Sequence, residues 1–143
     1  MIGGVGMSIS CQTLYQDIVA EFGTSAGSSR LSQDFVRAVN HSLDQLSLTA
    51  DLASRHGHIT KNDSVVTSLD VEYSYILRAG VDYHLFRMGH KPADPRIATV
   101  AYKDTADRWR EAQDDYVVAE DNEAQSDITA SIIGLGYLGS DSS

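Results

Sequence analysis

The five histidines come nearest, by type and spacing, to suggesting a chemistry for this chain. His56 and His58 make a bare His-x-His pair, whereas a dependable metal site needs three or four ligands at defined spacing. No helical His-x-x-x-His or Glu-x-x-His pair occurs. His84 falls on an apolar helical stripe beside Tyr83, where a hydrogen-bonded core imidazole is expected rather than a general base. Asp114-Asp115 and Glu120-Asp121 supply carboxylates, but adjacent helical residues diverge by about 100° and do not face one substrate atom as acid and base. Cys11 is the only cysteine, so it has no disulfide partner, and no basic neighbour in sequence would stabilise its thiolate. "GGVG" near the start and "GLGYLG" near the end superficially match dinucleotide fingerprints, yet neither follows a strand and opens a helix within a strand-helix-strand unit. The Gly-x-Ser-x-Gly match at residues 23–27 follows a helical stripe rather than a strand, so it makes no nucleophile elbow, and no phosphate loop occurs. The chain therefore reads as a non-enzyme with no cofactor and no metal.

Composition points the same way. The 143 residues carry a net charge of -9, with 42% hydrophobic and 22% charged residues. That suits one domain with one core and is too apolar for wholesale disorder. An acidic balance argues against nucleic acid as the main partner, because phosphate affinity comes from Lys and Arg. The one basic cluster, Arg78, Arg87, His90, Lys91 and Arg96, is interleaved with Asp82 and Asp94 and reads as a solvated face. "MIGGVGMSIS" lacks the basic start of a signal peptide. No window approaches the roughly 20 apolar residues of a membrane helix. A soluble protein made inside a cell is expected.

These residues must be positioned by helices. Leu14, Ile18 and Phe22, with Tyr15 and Val19 beside them, mark a short first helix that stops at Gly23. Leu31, Phe35, Val39, Leu43, Leu46 and Ala50 mark a longer second helix, capped by Ser32, with Asp34 in its first turn and Asn40 beside the stripe as an interhelical hydrogen-bonding group. Residues 56–68 read as a loop with a short extended piece around Val65 and Val66. A third helix is expected from Thr67 or Ser68, with core positions Leu69, Tyr73, Ile76, Leu77, Val81, His84, Leu85 and Met88. Gly80 inside it costs about 1 kcal/mol relative to Ala, which suggests close approach of a neighbouring helix. Met88-Gly89 ends it, Pro92 blocks continuation, and Asp94-Pro95 starts a fourth helix with a stripe through Ile97, Ala101, Arg108, Trp109, Ala112, Tyr116 and Ala119. A bend that short folds the two helices back as an antiparallel hairpin.

The expected fold is all-α: a small bundle of about four helices, two of them long and antiparallel, with an extended C-terminal tail. Residues 1–11 form a flexible N-terminal segment, 12–122 the helical bundle and 123–143 the tail. In that tail Ile128, Ile132, Ile133, Leu135, Tyr137 and Leu138 lack a helical stripe, and an apolar segment on an acidic protein marks a contact surface. They are the candidate partner-binding residues. Most of Tyr73, Tyr83, Tyr102, Trp109 and Tyr116 read as core, although such side chains also favour interfaces.

"FVRAVNHSLDQL", then "SLDVEYSYILRAGVDYHLF", a short break and "ATVAYKDTADRWREAQDDY" together resemble tailed-bacteriophage head-to-tail connector proteins, the adaptors beneath the portal. The resemblance spans roughly residues 30 to 120 and rests on Asn40, Leu43 and Leu46, on Leu69, Glu72, Ala79-Gly80 and Leu85, and on Tyr102 and Trp109. It carries no catalytic signature. It implies a structural virion protein at the neck of the particle, in a ring of about a dozen copies with itself. The portal protein would lie above and a tail or neck protein below, with DNA passing through the channel without specific binding. The tail would reach into the portal or along neighbouring subunits. Two other readings stand beside it: an acidic helical binding module that regulates a partner protein, using Asp104, Asp107, Asp114, Asp115 and Asp121, and a small helical enzyme or metal carrier.

Overall fold

In the computed structural model, which describes residues 8–22, 28–52, 55–91 and 103–122, the chain is mainly helical with a small two-stranded sheet. The elements in order are β1 (Ser8–Ser10), α1 (Cys11–Phe22), α2 (Ser28–Thr49), β2 (Val65–Asp70), a 3-10 turn (Val71–Tyr73) and α3 (Ser74–Arg87). A fourth helix, α4, covers residues 103–122.

The strands correct the all-α expectation. β1 pairs antiparallel with β2, Ile9 opposite Val66 and Ser10 opposite Val65, with an irregularity between Ser8 and Ile9. The Cys11 amide extends the ladder by donating to the Ser64 carbonyl at 3.0 Å. The extended piece expected around Val65 and Val66 is real, but it runs on to Asp70 and displaces the start of the third helix to Ser74. Burial explains the shift: Val66 and Leu69 point inward from extended backbone, while Ile9 covers them from β1. Asp70 then caps the 3-10 turn, its carboxylate accepting from the Glu72 amide at 3.3 Å. Residues 8–10, expected within a flexible segment, form β1.

α1 buries Leu14, Ile18 and Phe22, as their spacing predicts. It docks through edge-on ring contacts, Tyr15 on Phe35 at 5.0 Å and Phe22 on Phe86 at 5.4 Å. α2 buries Leu31, Phe35, Val39, Leu43 and Leu46. It begins before Ser32, so Ser32 is no cap; its hydroxyl instead accepts from the Asn62 amide at 2.8 Å.

α3 runs antiparallel to α2, burying Ile76, Leu77, Val81 and Leu85 against it. Its end is a Schellman motif: Gly89 has φ 96°, its amide donates to Phe86 O at 3.0 Å, and the His90 amide donates to Leu85 O at 3.0 Å. Only a residue without Cβ enters that conformation cheaply. The cap proposed at Asp94, Pro92 and Pro95, and the positions Ile97, Ala101 and Tyr102, lie outside the described residues. α4 nevertheless packs antiparallel to α3: Tyr116 meets Tyr73 at 5.9 Å, and Trp109 lies beside Gly80 seven residues nearer the other end. The longest described helix is α2, with 22 residues.

Gly80 is where three helices meet. A Cβ built there would stand 2.8 Å from Ser42 Cβ on α2 and 2.8 Å from Trp109 Cζ3 on α4. The expected close approach is present on both sides at once.

Candidate functional site

Polar junctions hold the bundle, and they use His56 and His84, two of the histidines that come nearest to suggesting a chemistry. His84 Nε2 lies 2.7 Å from Gln45 Oε1, which also accepts from Trp109 Nε1 at 3.0 Å. One Gln side chain on α2 thereby ties α3 to α4. Burial, then the neighbouring His41 and Arg87, push the His84 pKa down to about 4, so at neutral pH the ring is uncharged. It is the satisfied core histidine expected.

His56 is not the loop imidazole that its bare motif suggests. It is buried, with Nδ1 2.8 Å from Ser68 Oγ and Nε2 2.8 Å from Tyr116 Oη. Its amide donates to Ser47 Oγ at 2.9 Å, and that hydroxyl donates to Leu43 O at 2.9 Å. Burial lowers its pKa, so the neutral ring gives one hydrogen bond and accepts another. His58 stays exposed, 2.8 Å from Asp44. Asn40, expected to join two helices, grips the loop instead: Nδ2 donates to Ile59 O at 3.0 Å and Oδ1 accepts from Ile59 N at 2.8 Å. A side-chain amide satisfies both backbone polar groups of one residue, which pins a segment that has no ladder of its own.

The basic cluster read as a solvated face divides in three. His90 is buried and lies 2.7 Å from Asp34, a carboxylate flanked by Arg30 and Arg37 at 3.5 Å. Arg78 is also drawn inward, 2.9 Å from Glu21, 3.5 Å from Asp82 and 3.6 Å from Asp17. Burial, then the hydrogen bond and repulsion from Glu21, push the Asp82 carboxyl up to about 8, against the pull of an Arg78 shared among three carboxylates. Arg87 and Lys91 alone behave as surface charges, while Arg96 lies outside the described residues. Adjacency in sequence concealed this because His90 turns inward after Gly89, whereas Lys91 does not.

Cys11 is fully buried, which pushes its thiol up to about 11 and leaves it unreactive at neutral pH. Among the described residues no group of three or more His, Cys, Asp or Glu side chains could hold a metal ion. No described helix is long and apolar enough to cross a membrane.

The surface carries two features that the sequence reading missed. One is a groove of about 330 Å³ between α3 and α4, walled by Tyr75, Ala79 and Ala112 and edged by Arg78, Asp82 and Arg108. Tyr75 stands 56% exposed at its rim. Its place two residues from Tyr73, off the buried stripe, was the available signal. The other is a separation of charge along the helix axis. Arg30 donates to Met88 O at 3.0 Å, which brings the start of α2 and the end of α3 to one end with Arg37, Arg87 and Lys91. Thr49 reaches Gln113 at 3.2 Å, which sets the end of α2 beside the second half of α4, with Asp114, Asp115, Glu120 and Asp121 at the opposite end. The tail residues Ile128, Ile132, Ile133, Leu135, Tyr137 and Leu138 lie outside the described residues.

No protein-family model, no curated protein and no solved structure matches this chain.

Proposed function

We propose that this chain is a structural adaptor of the head-to-tail connector of a tailed bacteriophage, forming a ring of about a dozen copies beneath the portal. The ring continues the DNA channel and offers the platform on which the tail attaches. One observation carries the reading: among the described residues, no buried side-chain nitrogen or oxygen lacks a hydrogen-bond partner. His56, His84, His90, Asp34 and Asn40 are each spent on holding elements together, and a catalytic or metal-binding role would need them turned toward a ligand. What the bundle leaves for function is its outer surface and its tail. Of the residues behind the resemblance, Leu43, Leu46, Leu69 and Leu85 are buried and Gly80 meets Trp109. A bundle whose described buried side-chain polar atoms are all partnered suits a part that presents surfaces.

The acidic-module reading has less in its favour. Asp104 pairs with Arg108 and Asp107 lies 3.5 Å from Arg110, so the first half of α4 offers a partner little uncompensated acid.

The test is copy-number mass spectrometry on purified particles from the source of the chain. About a dozen copies per particle supports the adaptor. Absence from particles discards it and makes the acidic module the leading account. Deleting residues 126–143 should leave the bundle folded and block docking, and tailless protein that still completes particles would remove the tail from the mechanism.

A further inference from the structure

The two ends of the bundle differ in sign and also in apolarity. At the first end Arg30 and Arg37 are 66% and 68% exposed, and Arg87 and Lys91 are exposed beside them. The Asp34 carboxylate among them is buried and occupied by His90. At the second end Asp70 and Glu72 enter α3 while Asp114, Asp115, Glu120 and Asp121 lie on the last turns of α4, and Tyr73 on Tyr116 holds these segments together. The described cations beside Tyr75 and Asp115 are Arg78 and Arg108, which pair with Glu21 and Asp104. The same end exposes Val71, Tyr75 and Val118, and Leu48 stands exposed at the end of α2. Exposed apolar side chains set among charges have the make-up of a contact surface.

The ends are far enough apart to act separately. α2 has 22 residues, which at about 1.5 Å per residue spans about 33 Å. Charges are screened beyond about 8 Å at physiological ionic strength, so neither end neutralises the other within one molecule. Two copies, each carrying a net charge of -9, repel on average. The arrangement that brings opposite signs together is end to end, the basic end of one against the acidic end of the next.

We infer that copies of this chain associate head to tail, with the acidic, apolar end around Val71, Tyr75 and Val118 receiving the Arg87–Lys91 end of a second copy. The inference rests on the ring-forming reading and supplies its self-contact. Such a contact is heterologous: each subunit uses two different surfaces, and the series closes when its rotation divides a full turn. Arg30 and Arg37 steer from the rim, while Tyr75 and the valines supply the desolvated centre.

The experiment is sedimentation velocity on the full chain at low and high salt. One variant carries Arg87→Glu with Lys91→Glu, and the other carries Glu120→Lys with Asp121→Lys. All four side chains are exposed or at the rim, and circular dichroism verifies that the helices persist. The parent should associate at low salt and dissociate at high salt. Each variant alone should weaken by about tenfold or more, and mixing the two should restore association, because each then meets an end of opposite sign. No association of the parent at low salt, no effect of either reversal, or no rescue on mixing overturns the inference. Copy number in particles separates the failures. A chain present in particles whose reversed variants still incorporate keeps the adaptor and loses this contact. A chain absent from particles that still shows the rescue keeps the contact and loses the adaptor.

Discussion

Replacing Gly80 with alanine adds one methyl group at the point where three helices are closest. Its carbon would lie 2.8 Å from Ser42 Cβ and 2.8 Å from Trp109 Cζ3, whereas carbon atoms settle at about 3.5–4.0 Å. About an ångström of relief is needed on each side, and moving α3 away from α2 drives it into α4. Neither neighbour yields easily. Ser42 is fully buried and donates to Ala38 O at 2.7 Å, and Trp109 is held by its 3.0 Å bond to Gln45. Overpacking of this kind costs about 1–3 kcal/mol, and pressure from two sides favours the upper part of that range. Better helix propensity returns about 1 kcal/mol. The net loss should be about 1–2 kcal/mol, a fall in Tm of roughly 3–8 °C for a domain of this size.

Urea and thermal unfolding measure that loss. Gly80→Leu should cost a few kcal/mol, since its whole side chain has to enter the same space. Adding Ser42→Gly to Gly80→Ala removes one of the two colliding carbons, so the pair should be less destabilised than the sum of its parts, with a coupling of about 0.5–2 kcal/mol. Gly80→Ala with unchanged or raised stability would refute the close-packing account. Full additivity with Ser42→Gly would show that the strain, if present, lies elsewhere.

Further outcomes concern the buried titratable groups. The folded His84 titrates near 4 against an ordinary 6.5, so between those values the unfolded chain takes up a proton that the folded one refuses. Stability should fall as pH drops through that window, and His84→Gln should flatten the fall. Asp82 has the opposite sign: raised from 3.8 to about 8, it keeps its proton in the folded state, so its contribution is fully present below about 3.8 and is lost as pH rises through 8. Asp82→Asn resembles the protonated acid and should remove that loss, and superimposable pH profiles of variant and parent would contradict both assignments. Cys11 should resist iodoacetamide in the native protein and react once urea exposes it. Native alkylation at the rate of a free thiol would show that α1 opens readily.

Much of the helical framework was legible because a stripe of apolar residues at helical spacing has few alternatives. Leu14, Ile18 and Phe22, then Leu31 to Leu46, and then Ile76 to Leu85 are buried where their periodicity puts them. Gly80 and Gly89 were legible for a related reason: each is a residue type whose cost in place has to be offset by geometry. The segment from Val66 to Asp70 misled because Leu69 fits the helical stripe below it, while its spacing of three from Val66 breaks the alternation that marks a strand. Its pairing with Ile9, more than fifty positions away, decides between them, and no local window contains that partner.

By itself the sequence determined a mainly helical chain with one core, a loop before the third helix and an inert cysteine. Charge and periodicity are local properties, summed along the chain and legible there. Only the tertiary structure decided what the polar residues do. His56, His90 and Arg78 look alike on paper as surface cations, yet they become a buried bridge, a buried anchor and a half-buried tie, because their partners Tyr116, Asp34 and Glu21 lie about sixty positions away in sequence. The sorting of the surface charges into a basic and an acidic end has the same cause. It arises when α2, α3 and α4 pack alternately up and down, bringing to one end groups that are scattered along the chain.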